Sequence, residues 1–324
     1  MSPRTATRDI RRMKHVGVTV AIVGLVVSGC NQSTPSLDES GLVSITSIAT
    51  SLHRDLVENS VAVTSMTQPG IIFGLNDSGH DARIFAFDST GQVRGTWTVV
   101  GARNRDWEAA ALGPCRPSDS ASTCLYIGDV GDNDGRKPYV SIYRVPEPQV
   151  GPTPDSLLPV PGYRLDFRYA DHPHDVEAMY VAMDGAVVLI TKRRLRDANG
   201  QPRRALVFRI AATAWDSSGM VTANLVDSLP IVPGDAPGRQ VSDAALSPDG
   251  RVLAVRTYSQ VFFFAVDSTS GLPITGEAPT ACTILGLDER QGEGVGWWWD
   301  GRRVVLTSEG RNAPLNVVEC GKGA

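Results

Sequence analysis

The chain has 324 residues, 42% of them hydrophobic, and carries 31 Lys and Arg residues against 35 Asp and Glu residues. This hydrophobic content is ordinary for a protein with a real core, which excludes a mainly disordered chain. The excess of acidic over basic residues is larger after residue 30, because the preceding segment is basic. This excess excludes nucleic-acid binding through clustered cations.

The first 29 residues predict a signal peptide. A basic stretch that ends at Lys14 precedes an apolar run over residues 16–27, which is too short to span a bilayer. The Val-Ser-Gly-Cys sequence that ends at Cys30 resembles the lipobox of bacterial lipoproteins. The resemblance implies cleavage before Cys30, a lipid on its thiol, and a cell-envelope location on the periplasmic or outer-membrane face. An uncleaved anchor and an ordinary signal peptide are the alternatives.

Residues 30–41 are polar and predict a tether, and from residue 42 onward the chain is built from short strands. Runs rich in Val, Ile, Thr, Phe and Tyr are separated by Gly, Pro, Asn and Asp, a pattern typical of an all-β domain over residues 42–324. No amphipathic helical stretch of convincing length competes with these runs. Hairpin turns are predicted at the dipeptides Asp184-Gly185, Asp249-Gly250 and Asp300-Gly301.

A loose repeat recurs along the strands. Each unit starts with a carboxylate followed by small and apolar residues, and the starts lie roughly 50 to 70 residues apart, enough for four short strands. The starts are Glu58, Glu108, Glu177, Asp243 and Glu293. This period favours a β-propeller over a sandwich, with five blades and a six-bladed ring as the alternative. We expect the strand-like segment 41–48 to complete the last blade.

The repeated carboxylates predict a charged ring, because the first strand of each propeller blade lines the central channel. The ends of the second strands add further charged residues, namely Asp77, Asp129, Lys192, Arg256 and Glu309. Asp106 lies two residues before Glu108 and shares its face of the strand. Like charges raise one another's pKa, so compensation is required, and the two cations are candidates to pair with the carboxylates.

The surplus of carboxylate oxygens suits a hard cation such as Ca²⁺. The candidate metal ligands are Asp129, Asp132, Glu108 and Glu177. The first two belong to residues 128–135, which hold three aspartates and three glycines and fit either an ion-binding loop or a sharp turn. Two other roles for the ring stay open: hydrogen bonds between strand ends of adjacent blades, and catalysis.

Four cysteines follow Cys30, an even number in an exported chain, where disulfides persist. Cys115 and Cys124 bracket a turn-rich loop that a disulfide would close, which leaves Cys282 to pair with Cys320. Three pairings exist in principle, and a metal site is a weak rival because there is no Cys-x-x-Cys spacing.

The segment His172-Pro173-His174 offers two imidazoles beside Asp175, which fits either a loop that enters a strand or a transition-metal site. The sequence contains no Gly-x-Ser-x-Gly, no His-Glu-x-x-His, no P-loop and no dinucleotide-binding fingerprint in a strand-to-helix context. Nucleophilic catalysis based on histidine therefore has few candidates.

Several of these segments together resemble a group of bacterial propeller proteins of uncharacterised function, similar in fold to phytase-like and esterase-like propeller domains. They include Asn76-Asp77-Ser78-Gly79, Asp106-Trp107-Glu108, the run over residues 128–133, Asp175-Val176-Glu177-Ala178 and Thr307-Ser308-Glu309-Gly310. The resemblance covers nearly all of residues 42–320. It implies Ca²⁺ in an acidic channel and a phosphorylated substrate, although only Lys192 and Arg256 supply cations for phosphate at the predicted ring.

We therefore expect a lipid-anchored, monomeric β-propeller that binds a small molecule, glycan or protein partner at its acidic channel face, with a structural cation. The alternative is a calcium-dependent hydrolase of the phytase-like or esterase-like kind. A third class, a pure scaffold, predicts that the channel charges serve stability alone.

Overall fold

The computed structural model describes residues 42–50, 53–117, 119–151, 157–192, 204–231 and 237–321. They belong to one compact unit that spans residues 39–324. The predicted signal peptide over 1–29 and the predicted tether over 30–41, with Cys30 as the predicted lipidation site, lie outside the described residues. Within the described ranges no helix is long and apolar enough to cross a membrane.

The prediction of an all-β domain is confirmed. The first strands along the chain are β1 (Leu42–Thr50), β2 (Val63–Thr64), β3 (Ile71–Gly74), β4 (Arg83–Asp88), β5 (Val93–Val100), β6 (Trp107–Arg116), β7 (Asp119–Asp129), β8 (Val140–Pro146), β9 (Leu157–Pro161) and β10 (Tyr163–Tyr169). The remaining strands are β11 (Val176–Val181), β12 (Val187–Thr191), β13 (Leu206–Ile210), β14 (Val221–Ser228), β15 (Val241–Leu246), β16 (Val252–Thr257), β17 (Gln260–Ala265), β18 (Thr280–Thr283), β19 (Gly292–Trp297), β20 (Arg303–Ser308) and β21 (Pro314–Cys320). Two short 3₁₀ helices, Ala212–Asp216 and Pro237–Arg239, interrupt them.

The strands of the described residues pair into four sheets. Their orders are β1-β21-β20-β19, β2-β3-β4-β5-β9, β15-β16-β17-β18 and β11-β12-β13-β14-β10-β8-β7-β6. The eight-stranded sheet consists of two antiparallel runs of four strands, joined by a parallel pairing of β10 with β14. A second parallel pairing adds β9 to the outer strand β5.

The first strands of these antiparallel runs surround a central channel. In the described part of the chain, β6 packs against both β2 and β11, β15 packs against both β11 and β19, and β19 returns to β2. Sheets arranged radially around their first strands form a β-propeller, the predicted fold. The number of sheets does not equal the predicted number of blades, because one sheet joins two runs, and the five-blade prediction stays a prediction.

The last sheet is completed by the first described strand. β1 pairs antiparallel with β21, with Leu42 opposite Cys320 and Thr50 opposite Pro314. The prediction that a strand before the first repeat completes the last sheet is confirmed. The pairing covers the edge that β21 would otherwise leave open.

Turns and disulfides also follow the sequence pattern. The predicted hairpin glycines Gly185, Gly250 and Gly301 have φ values of +80°, +72° and +66°, the left-handed backbone that glycine adopts without steric cost. Both predicted disulfides are confirmed. Cys115 and Cys124 join β6 to β7 with a Cα–Cα distance of 4.9 Å, and Cys282 and Cys320 join β18 to β21 across 6.0 Å.

Candidate functional site

Three of the repeat carboxylates lie at bulges where the first strands begin. The pairing register of β6 skips Glu108, that of β11 skips Glu177, and that of β19 skips Glu293 together with the next residue. A bulge leaves its extra residue outside the ladder and re-aims the side chain. All three side chains are buried, so the sequence places negative charge inside the protein at one end of the channel.

We call this end the acidic mouth. It is defined by the carboxylates that influence one another there, namely Glu58, Asp77, Asp106, Glu108, Glu177, Glu293 and Glu309. All of them except Asp106 were predicted from the repeat starts and second-strand ends, and Asp106 was predicted from its spacing to Glu108. The structure therefore brings together most of the predicted ring.

Lys192 supplies the central positive charge of the acidic mouth. Its Nζ lies 2.6 Å from Oε1 of Glu177, and both side chains are buried. Burial opposes the charged form of Lys192, but the Glu177 carboxylate and the nearby Tyr258 and Glu293 outweigh that effect and raise its pKa. The cation is thus held charged by its surroundings.

The buried carboxylates of the acidic mouth are hard to ionise. Burial, opposed in part by Lys192, raises the pKa of Glu293 to about 7. Burial is also the main reason why the pKa of Glu108 lies well above its usual range, and the charges of Glu177 and Asp77 add to the effect. The carboxylates of this group outnumber the lysines beside them, so near neutral pH the group gains stability from bound protons or from a cation.

Three carboxylates of the acidic mouth form what we call the oxygen triad. Asp77, Asp106 and Glu108 each offer one oxygen, and these oxygens lie within 4.8 Å of one another. Asn104 holds the loop of Asp77 in place, since its Nδ2 donates to the Asp77 carbonyl at 2.7 Å. Gly131 permits the close approach, because a Cβ there would lie 2.7 Å from Cγ of both Asp106 and Glu108.

A lysine that the sequence analysis missed borders the oxygen triad. Lys137 Nζ lies 2.5 Å from Oδ2 of Asp106 and donates to the Gly131 carbonyl at 2.6 Å. Gln291 was also missed: its Nε2 donates to Oε1 of Glu309 at 2.9 Å and also to Glu293. Both residues lie on loops outside the repeated strands, so the repeat gave no signal for them.

The first repeat differs from the others in the structure. Glu58 precedes β2 instead of lying in a strand bulge, and its Oε2 lies 3.0 Å from Nε2 of His80. The Glu58 side chain is also partly exposed. This carboxylate therefore lies at the rim of the acidic mouth.

Two predicted ring members have structural partners instead. Asp243 is buried, and its carboxylate accepts the backbone N–H groups of Ala244 and Val295, each at 2.8 Å, which ties β15 to β19. Arg256 is also buried, and its Nη1 donates to the carbonyls of Gly294 and Thr307 at 2.8 Å. Among the carboxylates, Arg256 pairs with Glu289, which lies outside the predicted ring.

The predicted metal ligands of residues 128–135 are likewise engaged with backbone and side-chain donors. Asp129 accepts the N–H of Asp106 at 2.8 Å and lies 3.3 Å from Nε of Arg105. Asp132 accepts the N–H groups of Arg136 and Lys137 at 3.0 and 2.8 Å, the geometry of a tight turn. The oxygen triad contains Glu108 from the predicted metal set and does not contain Asp129, Asp132 or Glu177.

The opposite end of the channel is apolar. A cavity of about 200 Å³ is lined there by the far ends of the same first strands, including Ala111, Val181, Leu246 and Trp297. The described residues that line this cavity include no charged side chain. The channel therefore presents carboxylates at one end and hydrocarbon at the other.

No protein-family model matches the chain, and no curated protein matches it in sequence. Similar solved structures include a glutaminyl cyclase from Myxococcus xanthus, with 11% identity and a TM-score of 0.44 over 85% of this chain and 97% of that chain. A luciferin-regenerating enzyme has 10% identity and a TM-score of 0.44 over 87% of this chain and 98% of that chain. The Dos1 propeller has 11% identity and a TM-score of 0.36 over 82% of this chain, which spans 59% of the Dos1 chain. These are propeller-type folds, and at such scores they carry no inference about activity.

Proposed function

We propose that this chain is a lipid-anchored β-propeller of the bacterial cell envelope that binds a ligand or partner at the acidic mouth, together with a structural cation. The observation that carries the proposal is the oxygen triad of Asp77, Asp106 and Glu108, whose oxygens lie within 4.8 Å of one another. Hard cations prefer such oxygens, and Ca²⁺ takes six to eight of them. Coordination positions beyond the triad are then left for water or for the ligand.

The electrostatics of the acidic mouth support a cation. Burial raises the pKa of Asp77 and of Glu108, so these carboxyls bind protons more readily than exposed ones. A divalent cation would replace those protons and relieve the repulsion between the ionised groups. Lys137 neutralises Asp106 in part, and it is the group that a cation would displace.

We also propose five blades. Each of the strands β2, β6, β11, β15 and β19 starts an antiparallel run of four strands, and the contacts between these strands return from the last to the first. The lipid anchor rests on the sequence that ends at Cys30. It predicts that the full chain partitions into a detergent phase and that Cys30→Ser transfers it to the aqueous phase.

The calcium-dependent hydrolase is not favoured by a specific observation. The sequence offered Lys192 and Arg256 for its phosphate, but Lys192 is paired with Glu177 inside the protein. Arg256 is fully buried and donates to two carbonyls and to Glu289. Neither cation is available to an incoming anion in this arrangement.

The test is the metal content of the purified full chain, with the melting temperature recorded before and after chelation. We expect about one calcium ion per chain and a melting temperature that falls on chelation and recovers with Ca²⁺. Asp106→Asn and Glu108→Gln should each abolish this dependence of the melting temperature on Ca²⁺. Asp249→Asn, at an exposed hairpin turn, is the matched control and should keep it. A metal-free protein whose melting temperature does not change with Ca²⁺ would overturn the proposed cation site.

The same variants separate binding from scaffolding. Glu108→Gln that folds but no longer binds Ca²⁺ supports a binding site, because the loss then lies in the ligand set. Glu108→Gln that fails to fold while calcium has no effect on the wild type supports a scaffold role for the channel charges.

A further inference from the structure

A second cluster of metal-ligating side chains lies on the segment that leads into β11. Asp171, His172 and His174 each offer one ligand atom, and these atoms lie within 4.8 Å of one another. None of the three belongs to the acidic mouth. We infer that they form a binding site for a transition-metal ion of the Zn²⁺ type, a site that goes beyond the proposed function.

The tautomer of the neutral His172 ring favours metal binding. Its Nδ1 lies 2.9 Å from the carbonyl oxygen of Pro173, and a carbonyl can only accept, so Nδ1 carries the proton. In the neutral ring Nε2 then keeps its lone pair, as required of a ligand. Ligating histidines commonly donate their other ring nitrogen to a backbone carbonyl in this way.

The distances between the three residues suit a small cation. Nε2 of His172 lies 3.6 Å from Oδ2 of Asp171, too far for a hydrogen bond. Two ligands about 2.1 Å from a tetrahedral zinc ion lie roughly 3.4 Å apart, so a metal fits between these atoms with little movement. Nε2 of His174 lies 2.9 Å from Oδ1 of Asp171, so these two atoms are joined by a hydrogen bond. A bound metal would replace this hydrogen bond.

The segment is held rigidly, which lowers the entropy that metal binding must overcome. His174 is buried and makes an edge contact with the ring of Tyr169, with centroids 5.0 Å apart. At the start of the segment the Ala170 N–H donates to the Ala223 carbonyl at 3.1 Å. At its end the Asp175 carboxylate accepts the N–H of Asp132 at 2.9 Å. Packing therefore positions His174, and hydrogen bonds outside the cluster hold the backbone at both ends of the segment, while the side chains of Asp171 and His172 are partly exposed.

The cluster also has room for a fourth ligand. A cavity of about 180 Å³ is lined by two of the three ligands, Asp171 and His172, together with Lys137, Tyr139 and Arg168. Three protein ligands and one open position are the arrangement of zinc sites that bind water or a substrate. A closed structural site would instead need a fourth protein ligand.

The test is a Zn²⁺ titration of the full chain, with bound zinc also measured after dialysis. Wild type should bind one zinc ion, and His172→Ala and Asp171→Asn should each weaken the affinity by about 100-fold or more. Both changed side chains are partly exposed, so the variants should fold, which circular dichroism checks. Co²⁺ serves as a coloured probe: its visible absorption bands should appear in wild type and vanish in His172→Ala.

Two controls separate this site from the acidic mouth. His80→Ala removes a histidine that pairs with a different carboxylate, Glu58, and Glu108→Gln disrupts the oxygen triad. Both should keep the wild-type zinc affinity. Equal zinc affinity in wild type and His172→Ala would overturn the inference. Loss of zinc in Glu108→Gln with retention in His172→Ala would overturn it too, since the metal would then lie at the acidic mouth.

Discussion

Lys192 and Glu177 form an ion pair of 2.6 Å that is almost entirely shielded from solvent, with side-chain exposures of 7% and 2%. Lys192 follows directly on the strand that pairs with the strand of Glu177, so the pair spans the first two strands of one antiparallel run. Its ammonium group also faces Glu293, which belongs to a different sheet. The pair therefore couples the electrostatics of two different sheets at the acidic mouth.

Lys192→Met should destabilise the protein strongly. Removing the ammonium leaves Glu177 buried without its partner and beside other carboxylates, a loss of about 3–5 kcal/mol for a broken buried pair. The measurement is the free energy of unfolding in urea at neutral pH. The double variant Lys192→Met with Glu177→Gln removes both charges and should recover most of the loss. A single variant within about 1 kcal/mol of wild type would contradict this prediction.

Stability of the metal-free protein should fall as the pH rises through neutrality because of Glu293. Its pKa is about 7 in the folded protein against an ordinary 4.5, so the folded state binds this proton more tightly than the unfolded chain. The contribution is complete below pH 4.5 and is lost as the pH rises through 7, about 3 kcal/mol in all. Unfolding free energies from pH 4.5 to 8 should show this slope in wild type. Glu293→Gln should reduce the slope by the contribution of Glu293, while Glu108 and Glu177 keep a remaining slope. A wild-type slope equal to that of the variant would refute the assignment.

Calcium binding should release protons and strengthen with pH. Burial raises the pKa of Asp77 and Glu108, so coordination of a cation displaces the protons that these carboxyls hold. Calorimetric titration in two buffers with different ionisation enthalpies should give different apparent heats, and the affinity should increase from pH 5.5 to pH 8. Asp249→Asn should behave like wild type. A buffer-independent heat with a pH-independent affinity would contradict the prediction.

The two disulfides should differ in their contribution to stability. The pair Cys282–Cys320 closes 38 residues and the pair Cys115–Cys124 closes 9. Loop-closure entropy then predicts a loss of about 4 kcal/mol for Cys282→Ser with Cys320→Ser, and of about 3 kcal/mol for the shorter loop. Chemical denaturation of the two double variants measures the difference. The opposite order would show that the entropy of loop closure does not govern how much each disulfide stabilises the protein.

The repeat predicted the acidic mouth because its period matches the spacing of the first strands along the chain. Glu108, Glu177 and Glu293 each start a first strand, and the structure places each of them at a bulge. Asp243 starts a repeat too, but in β15 the register skips Ser242 instead. The Asp243 carboxylate then meets backbone N–H groups rather than the channel. A one-residue difference in bulge position is a matter of local backbone geometry that the residue types alone do not reveal.

The oxygen triad and the residues around it were harder to anticipate. Asp77 and Asp106 lie on different loops, and Asn104 brings them together by donating to the Asp77 carbonyl. Lys137 reaches Asp106 from a turn that the sequence suggested only as an ion loop or a sharp bend. Contacts between loops depend on the tertiary path of the chain, which strand periodicity does not encode. The partners of Arg256 were hard to anticipate for a related reason, since it lies among backbone carbonyls that no motif marks. Lys192 pairs with a carboxylate of the predicted ring, as the sequence suggested.

The pairing of β1 with β21 has a consequence for how the protein is made. β1 precedes all the other described strands in the sequence and β21 follows them, so every strand between them must be present before the ring of sheets can close. Contacts of such long sequence separation slow folding. Until closure, β21 presents an unpaired edge on which another copy could add. A chain cut short before β21 therefore cannot complete this sheet and leaves β1 without its partner strand.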